Sequence, residues 1–252
     1  MSRFALDDAG RGPPVLLLHG FPATRGLWKD VAPRLAAAGF RMLAPDLIGY
    51  GASPDEPDVG MERQAGWLLE LLDELRIERA TVVAHDVGTA AAQILTVRSP
   101  ARVRRLILMD GVFETEWAMG AVESIRSWDP AQAARLQPVL VRKLRSIRDL
   151  LGAYAGETGG RRLIHAARCL DPRQTEGMTA RLKQTGVPIR LIWGADDAYL
   201  PVDTVGRPLA AALGVELEVL PGGHFLPLDN PEGLARRLIE LIQPDAASQP
   251  RS

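Results

Sequence analysis

The sequence predicts an α/β protein, a mostly parallel twisted sheet flanked by helices, with one helical insertion. Three observations predict it. Short unbroken apolar runs recur along the chain, stretches of helical periodicity alternate with them, and one long segment between two of the runs carries no strand pattern at all. The 252 residues, 46% hydrophobic and 24% charged, suit one large domain or a core with an insert.

The apolar runs are 14–18 (PVLLL), 40–44 (FRMLA), 80–84 (ATVVA), 103–109 (VRRLILM), 187–193 (VPIRLIW) and 215–220 (VELEVL). Runs of this length without alternation read as strands buried on both faces. Residues 61–75 place Trp67, Leu68, Leu71, Leu72 and Leu75 on one helical face. Residues 87–97 form a second helix. Asn230, Pro231 and Glu232 supply an N-cap, a first-position proline and an acidic first turn for the last one. Residues 1–113 and 184–243 are expected to form the core, and 244–252 a frayed polar tail.

Residues 114–183 break the rhythm and are expected to form a helical lid. Pro138 should interrupt a helix over 131–151, and GETGG (156–160) reads as a turn. The segment holds twelve basic and eight acidic residues, which most simply gives a solvated helical face. In the whole chain 30 basic residues meet 31 acidic ones, a balance that argues against a nucleic-acid or membrane-surface partner. Only three of the basic residues are lysine, the bias expected of a GC-rich bacterial genome. Residues 1–12 contain no apolar h-region, no run of 18 apolar residues exists, and the single cysteine, Cys169, closes no internal disulfide. The expected compartment is therefore the cytoplasm. No ligand cluster or phosphate-binding glycine pattern is present, so no metal and no organic cofactor is expected. The expected partner is a small-molecule substrate, with a homodimer left open.

In parallel sheets ligands sit at the carboxyl ends of the strands, so the residue after each run is where chemistry is sought. The first run ends in His19-Gly20-Phe21-Pro22, where Gly20 exposes backbone and the Phe21 N–H can face the crevice. The run 80–84 leads into His85-Asp86-Val87-Gly88 and then a helix. That is the shape of a nucleophile elbow, G-x-S-x-G, with Ala84 for the first glycine and Asp86 for serine. Read alone, Asp86 is equally a helix N-cap. Two further runs end in Gly194-Ala195-Asp196-Asp197 and in Gly222-Gly223-His224-Phe225. A lone histidine after a strand is ordinarily a loop residue. Here nucleophile, acid and histidine follow one another, each after its own strand, in the order the elbow arrangement requires.

With HGFP (19–22), PDLIGYGAS (45–53), AHDVG (84–88), WGADDAYLP (193–201) and GGHFLPLDNPE (222–232), the chain resembles the α/β-hydrolase superfamily over essentially its full length. Its aspartate elbow is similar to the branch containing epoxide hydrolases and haloalkane dehalogenases. The resemblance implies that Asp86 attacks a saturated carbon and forms an alkyl ester. His224 then activates water to cleave it, and the Phe21 and Val87 N–H groups form the oxyanion hole. It makes Asp197, three residues past Gly194, the first choice for the acid behind His224. Asp110, ending the run 103–109, and Asp196 are the alternatives. Asp46 in PDLIGYG is expected to close its loop by accepting hydrogen bonds. His85 is expected to pack under the elbow.

The chemistry of the residue agrees with that branch. A carboxylate attacking an ester would give an anhydride, whereas displacement at saturated carbon gives a stable ester that histidine and water can cleave. The leaving-group side departs from the pattern. Haloalkane dehalogenases usually carry Trp after the nucleophile and Asn after the HG pair, where this chain has Val87 and Phe21. The arginines of fluoroacetate-type enzymes are replaced by Val87 and Ala90. Epoxide hydrolases place two tyrosines in the lid, and this lid has one, Tyr154, with His165 as a second candidate donor. Trp117 and Trp128 are the candidates for holding a halide. The expectation is an epoxide hydrolase-like enzyme, ahead of haloalkane dehalogenase-like hydrolysis. A biosynthetic tailoring hydrolase or lyase, and a ligand-binding member without catalysis, are the further alternatives.

Overall fold

The computed structural model describes residues 3–133 and 150–243. The expected break at Pro138 and the expected frayed tail lie outside the described residues. Seven strands form one sheet: β1 (Leu6–Ala9), β2 (Pro14–Leu18), β3 (Arg41–Pro45), β4 (Ala80–Asp86), β5 (Val103–Gly111), β6 (Ile189–Gly194) and β7 (Leu217–Leu220). Their order is β1-β3-β2-β4-β5-β6-β7, with β1 antiparallel to β3 and every other pairing parallel. The apolar runs become the interior strands. Val15 to Leu18 of β2 and Val82 to Ala84 of β4 are wholly buried. Each buried Val or Leu of this kind stabilises the fold by roughly 1.5–3 kcal/mol.

Strand β1 was not legible as an element. Its sequence, LDDA, has a single large apolar residue, and as the edge of the sheet it needs little apolar surface. Backbone pairing with β3 holds it, and Asp7 and Asp8 turn outward to ion pairs with Arg25 and Arg41. Charges on an edge also discourage pairing with another chain.

The helices are α1 (Ala32–Ala37), α2 (Met61–Glu74), α3 (Gly88–Arg98), α4 (Gly120–Arg126), α5 (Gly156–Cys169), α6 (Met178–Gln184), α7 (Arg207–Leu213), α8 (Leu226–Asp229) and α9 (Pro231–Ile242). Helix α2 buries Trp67, Leu68, Leu71 and Leu72 as its periodicity requires. Asn230 caps α9 by accepting from the Gly233 N–H, with Pro231 in the first position. Between β5 and β6 the described residues are helices and loops, with α4 packed on α5. Helix α6 packs instead against α3 and α7.

The stretch GETGG is not a turn. It opens α5, where Glu157 pairs with Arg161 one turn on and Gly159 lies against the Tyr154 backbone. A Cβ at Gly159 would meet that backbone at 2.3 Å. The glycines there serve close packing of a helix, which composition alone reads as a break. Among the described residues no helix is long and apolar enough to cross a membrane.

Candidate active site

Strand β4 runs through the middle of the sheet and ends at Asp86, whose φ is +54°. A non-glycine residue held in the left-handed region costs about 1–3 kcal/mol. The turn is pinned from both sides. The Thr89 hydroxyl donates to the Asp86 carbonyl at 2.6 Å and accepts the Val112 N–H at 3.0 Å. Small residues are required around it. A Cβ at Gly20 would lie 2.2 Å from Asp86 Oδ1, and one at Gly88 would lie 2.3 Å from the His19 carbonyl oxygen.

This close approach brings the Phe21 N–H within 2.7 Å of Asp86 Oδ1. The adjoining Val87 N–H also favours the charged form of that carboxylate. His19 is the support beneath: its Nε2 accepts the Leu47 N–H at 3.0 Å and its Nδ1 donates to the Gly20 carbonyl at 2.9 Å. Burial lowers its pKa and keeps it neutral for that double role. Asp46 accepts the Arg25 and Ala52 N–H groups, both at 2.7 Å, and the Arg25 guanidinium, so it closes its loop as expected.

His224 reaches the site from the loop after β7. Its Nε2 lies 3.5 Å from Asp86 Oδ2, and its Nδ1 lies 2.9 Å from Asp197 Oδ2. The other oxygen of Asp197 accepts the N–H groups of Tyr199 and Leu200 at 2.8 and 2.9 Å. Burial works against a charged imidazole, but the hydrogen bonds and charges of Asp197 and Asp86 prevail and push His224 up to about 10. For Asp86, burial favours the neutral form, yet His224, His85 and the Val87 N–H together hold its pKa below the ordinary value. The imidazole thus lies between two carboxyl groups that both favour its protonated form.

Asp110 does not hydrogen-bond the imidazole. Strand β5 ends so that Asp110 Oδ1 takes the Gly194 N–H at 2.6 Å, which points its carboxyl toward β6. Asp196, the other alternative, is exposed and makes no bond to His224. His85 is buried under the elbow, as expected. It also has a task that its sequence does not announce. Its Nε2 donates to the His224 carbonyl at 2.6 Å, and burial together with the nearby His224 charge lowers its pKa to about 4.

Asp86, Phe21, Val87 and His224 open onto a cavity of about 420 Å³ whose wall is mostly apolar. Trp117 and Trp128 both line it, but the Trp117 indole N–H already donates to the Thr175 hydroxyl at 2.9 Å. Tyr154 is fully buried and is not on the cavity wall. His165 is not on it either, and its Nε2 is held by the Glu56 carbonyl at 2.8 Å. Of the expected leaving-group donors, Trp117 and Trp128 are on the cavity wall and Tyr154 and His165 are not. Sequence reasoning passed over Tyr199, which lines the cavity with its ring centroid 5.2 Å from that of His224. Its signal was its place two residues after Asp197. Among the described residues no group of three or more His, Cys, Asp or Glu is placed to hold a metal.

The chain is similar to several known proteins. The haloalkane dehalogenase 2 of Mycobacterium tuberculosis is 30% identical over 92% of this chain and 89% of its own length. An epoxide hydrolase of Caballeronia sordidicola is 34% identical over a shorter stretch, 48% of this chain and 38% of that protein. The crystal structure of an alpha/beta hydrolase fold protein from Burkholderia ambifaria superposes with a TM-score of 0.83 at 27% identity, covering 94% of this chain and 93% of that one. The sequence profile of the alpha/beta hydrolase family matches residues 15–237, and the chain belongs to that family.

Proposed function

We propose that this hydrolase cleaves a bond between a saturated carbon and a leaving group, with carbon–halogen substrates as the first class. One observation carries the reading: an ionised Asp86, fixed by the Phe21 and Val87 N–H groups, faces both an apolar cavity and His224. Asp86 Oδ2, the oxygen outside the Phe21 hydrogen bond, attacks carbon. A C–O bond forms, the carbon–halogen bond breaks, and halide leaves with the electron pair. Water then attacks the Asp86 carboxyl carbon and gives its proton to His224 Nε2. The tetrahedral oxyanion rests on the two N–H groups, a stabilisation for which loss of one donor typically costs about 3–4 kcal/mol. Collapse breaks the bond to the alkoxy oxygen, which takes the proton from His224 and leaves as the alcohol, and the Asp86 carboxyl, now holding the second proton of the water, releases it to return to the carboxylate. Net, alkyl halide and water give alcohol, halide and a proton.

The first step also prepares the second. His224 is held protonated partly by the Asp86 charge. Esterification removes that charge, so the imidazole's pKa falls and it becomes a base only once there is an ester to cleave.

The halide class is favoured over the epoxide class by the dehalogenase relative, which matches nearly the whole chain. The two-tyrosine epoxide reading loses support because Tyr154 lies off the cavity wall. Epoxide opening stands as the second reading on the Tyr199 phenol, which lines the cavity beside His224 and is a proton donor for a leaving oxygen. The test is a mixed haloalkane and epoxide panel, followed by halide release and diol formation. His224→Gln should accumulate an adduct of one alkyl group on the Asp86 peptide, seen by mass spectrometry. No adduct, with turnover persisting in Asp86→Ala, would overturn the proposal.

A further inference from the structure

We infer that Asp110 is held as a neutral carboxylic acid whose O–H donates to the Asp197 carboxylate, making it a positioning residue that limits the basicity of His224. The inference rests on Asp197 and His224 acting as proposed above, but its test needs no substrate.

The backbone aims Asp110 out of the sheet. In the β4–β5 pairing His85 lies opposite Met109, and the next pair is Asp86 with Gly111. Asp110 is the extra residue of a bulge, with φ of +40°. Bulges next to active sites re-aim a side chain. This one turns the Asp110 carboxyl into the interior between β5 and β6, where the residue has no solvent exposure.

Its two oxygens have different surroundings. Oδ1 accepts the Gly194 N–H at 2.6 Å. Oδ2 is buried and has no donor. What the carboxyl meets there is Asp197, close enough for the two to share a hydrogen bond. Asp197 is also shut off from solvent, and both its oxygens are occupied by donors: the Tyr199 and Leu200 N–H groups and His224 Nδ1. Two buried carboxyls side by side do not both ionise. Three donors face Asp197 and one faces Asp110, so the shared proton belongs on Asp110. Burial first, and then the Asp197 charge, raise the Asp110 pKa well above the usual carboxylate range. The O–H then supplies the donor that fills the gap between two acceptors.

The consequence falls on His224. The groups facing its ring are Asp86 at 3.5 Å, Asp197 at 2.9 Å, His85 with ring centroids 4.8 Å apart, and Tyr199 at 5.2 Å. Asp110 stands behind Asp197. An ionised Asp110 would add a second negative charge on that side and keep the imidazole protonated even after Asp86 is esterified. A neutral Asp110 instead draws charge away from Asp197 and lets the ring lose its proton.

Infrared spectroscopy of the full chain with carboxyl-labelled aspartate, with NMR titration of the His224 ring, tests this. The wild type should show a protonated-carboxyl band that persists well above the ordinary aspartate range, and D110N should lack it. The D110N amide keeps a donor toward Asp197 and an acceptor for Gly194. Its His224 midpoint should therefore stay within about half a pH unit of wild type. D110A offers no donor, and its midpoint should rise by roughly one unit. Absence of the band in the wild type, which needs no variant to fold, would overturn the inference. So would a D110N midpoint lowered by about one unit or more, the sign of an ionised Asp110. An unmoved midpoint in D110A would overturn the limiting role.

Discussion

His224 Nε2 stands 3.5 Å from Asp86 Oδ2, with the opposite ring nitrogen bonded to Asp197 at 2.9 Å. One imidazole therefore reads two carboxylates at once, and its charge is tied to both. Its pH behaviour follows. The folded-state pKa is raised from 6.5 to about 10, so the stability it contributes is fully present below pH 6.5 and is lost as pH rises toward 10. The melting temperature of the wild type should exceed that of His224→Gln most at pH 6.5 and below, with the gap narrowing steadily up to pH 10. A gap that widens with pH would contradict an imidazolium resting state.

Gly20 lies against the nucleophile. Gly20→Ala would bring a methyl group to 2.2 Å from Asp86 Oδ1 and displace the carboxylate from the Phe21 N–H. A misplacement of that order costs on the order of 10²-fold in rate. Steady-state kinetics should show the loss in kcat, while circular dichroism shows a folded protein.

The two lid tryptophans should separate. Trp117→Phe removes the donor to Thr175, which costs about 1 kcal/mol in a urea titration and leaves the preference among leaving groups unchanged. Trp128→Phe should alter the chloride-to-bromide rate ratio, because Trp128 is the remaining tryptophan candidate on the cavity wall. The reverse pattern in halide-release rates would reassign the roles.

Asp46 holds the loop beneath the site through two backbone N–H groups and the Arg25 guanidinium. Asp46→Ala leaves these part-buried donors unpaired, a loss of about 1–3 kcal/mol. A melting curve should fall well below that of the wild type. Asp55→Ala, which removes an exposed carboxylate from its ion pair with Arg162, should move it little.

The amino-acid sequence by itself determined the interior strands, because continuous apolar runs have nowhere else to go. It also determined the order of Asp86, Asp197 and His224 at the ends of β4, β6 and β7, since parallel strands bring those ends to one side. Strand β1 escaped it because an edge held by backbone bonds needs no apolar signature, and α5 because glycines that permit packing look like glycines that permit a turn. Only the tertiary structure shows that Asp197, and not Asp110, bonds the imidazole. A single bulged residue, whose register no composition records, turned one carboxyl toward the imidazole's partner and left the other to meet the imidazole itself. The direction of a polar side chain is set by its neighbours in space, and those neighbours are distant in sequence.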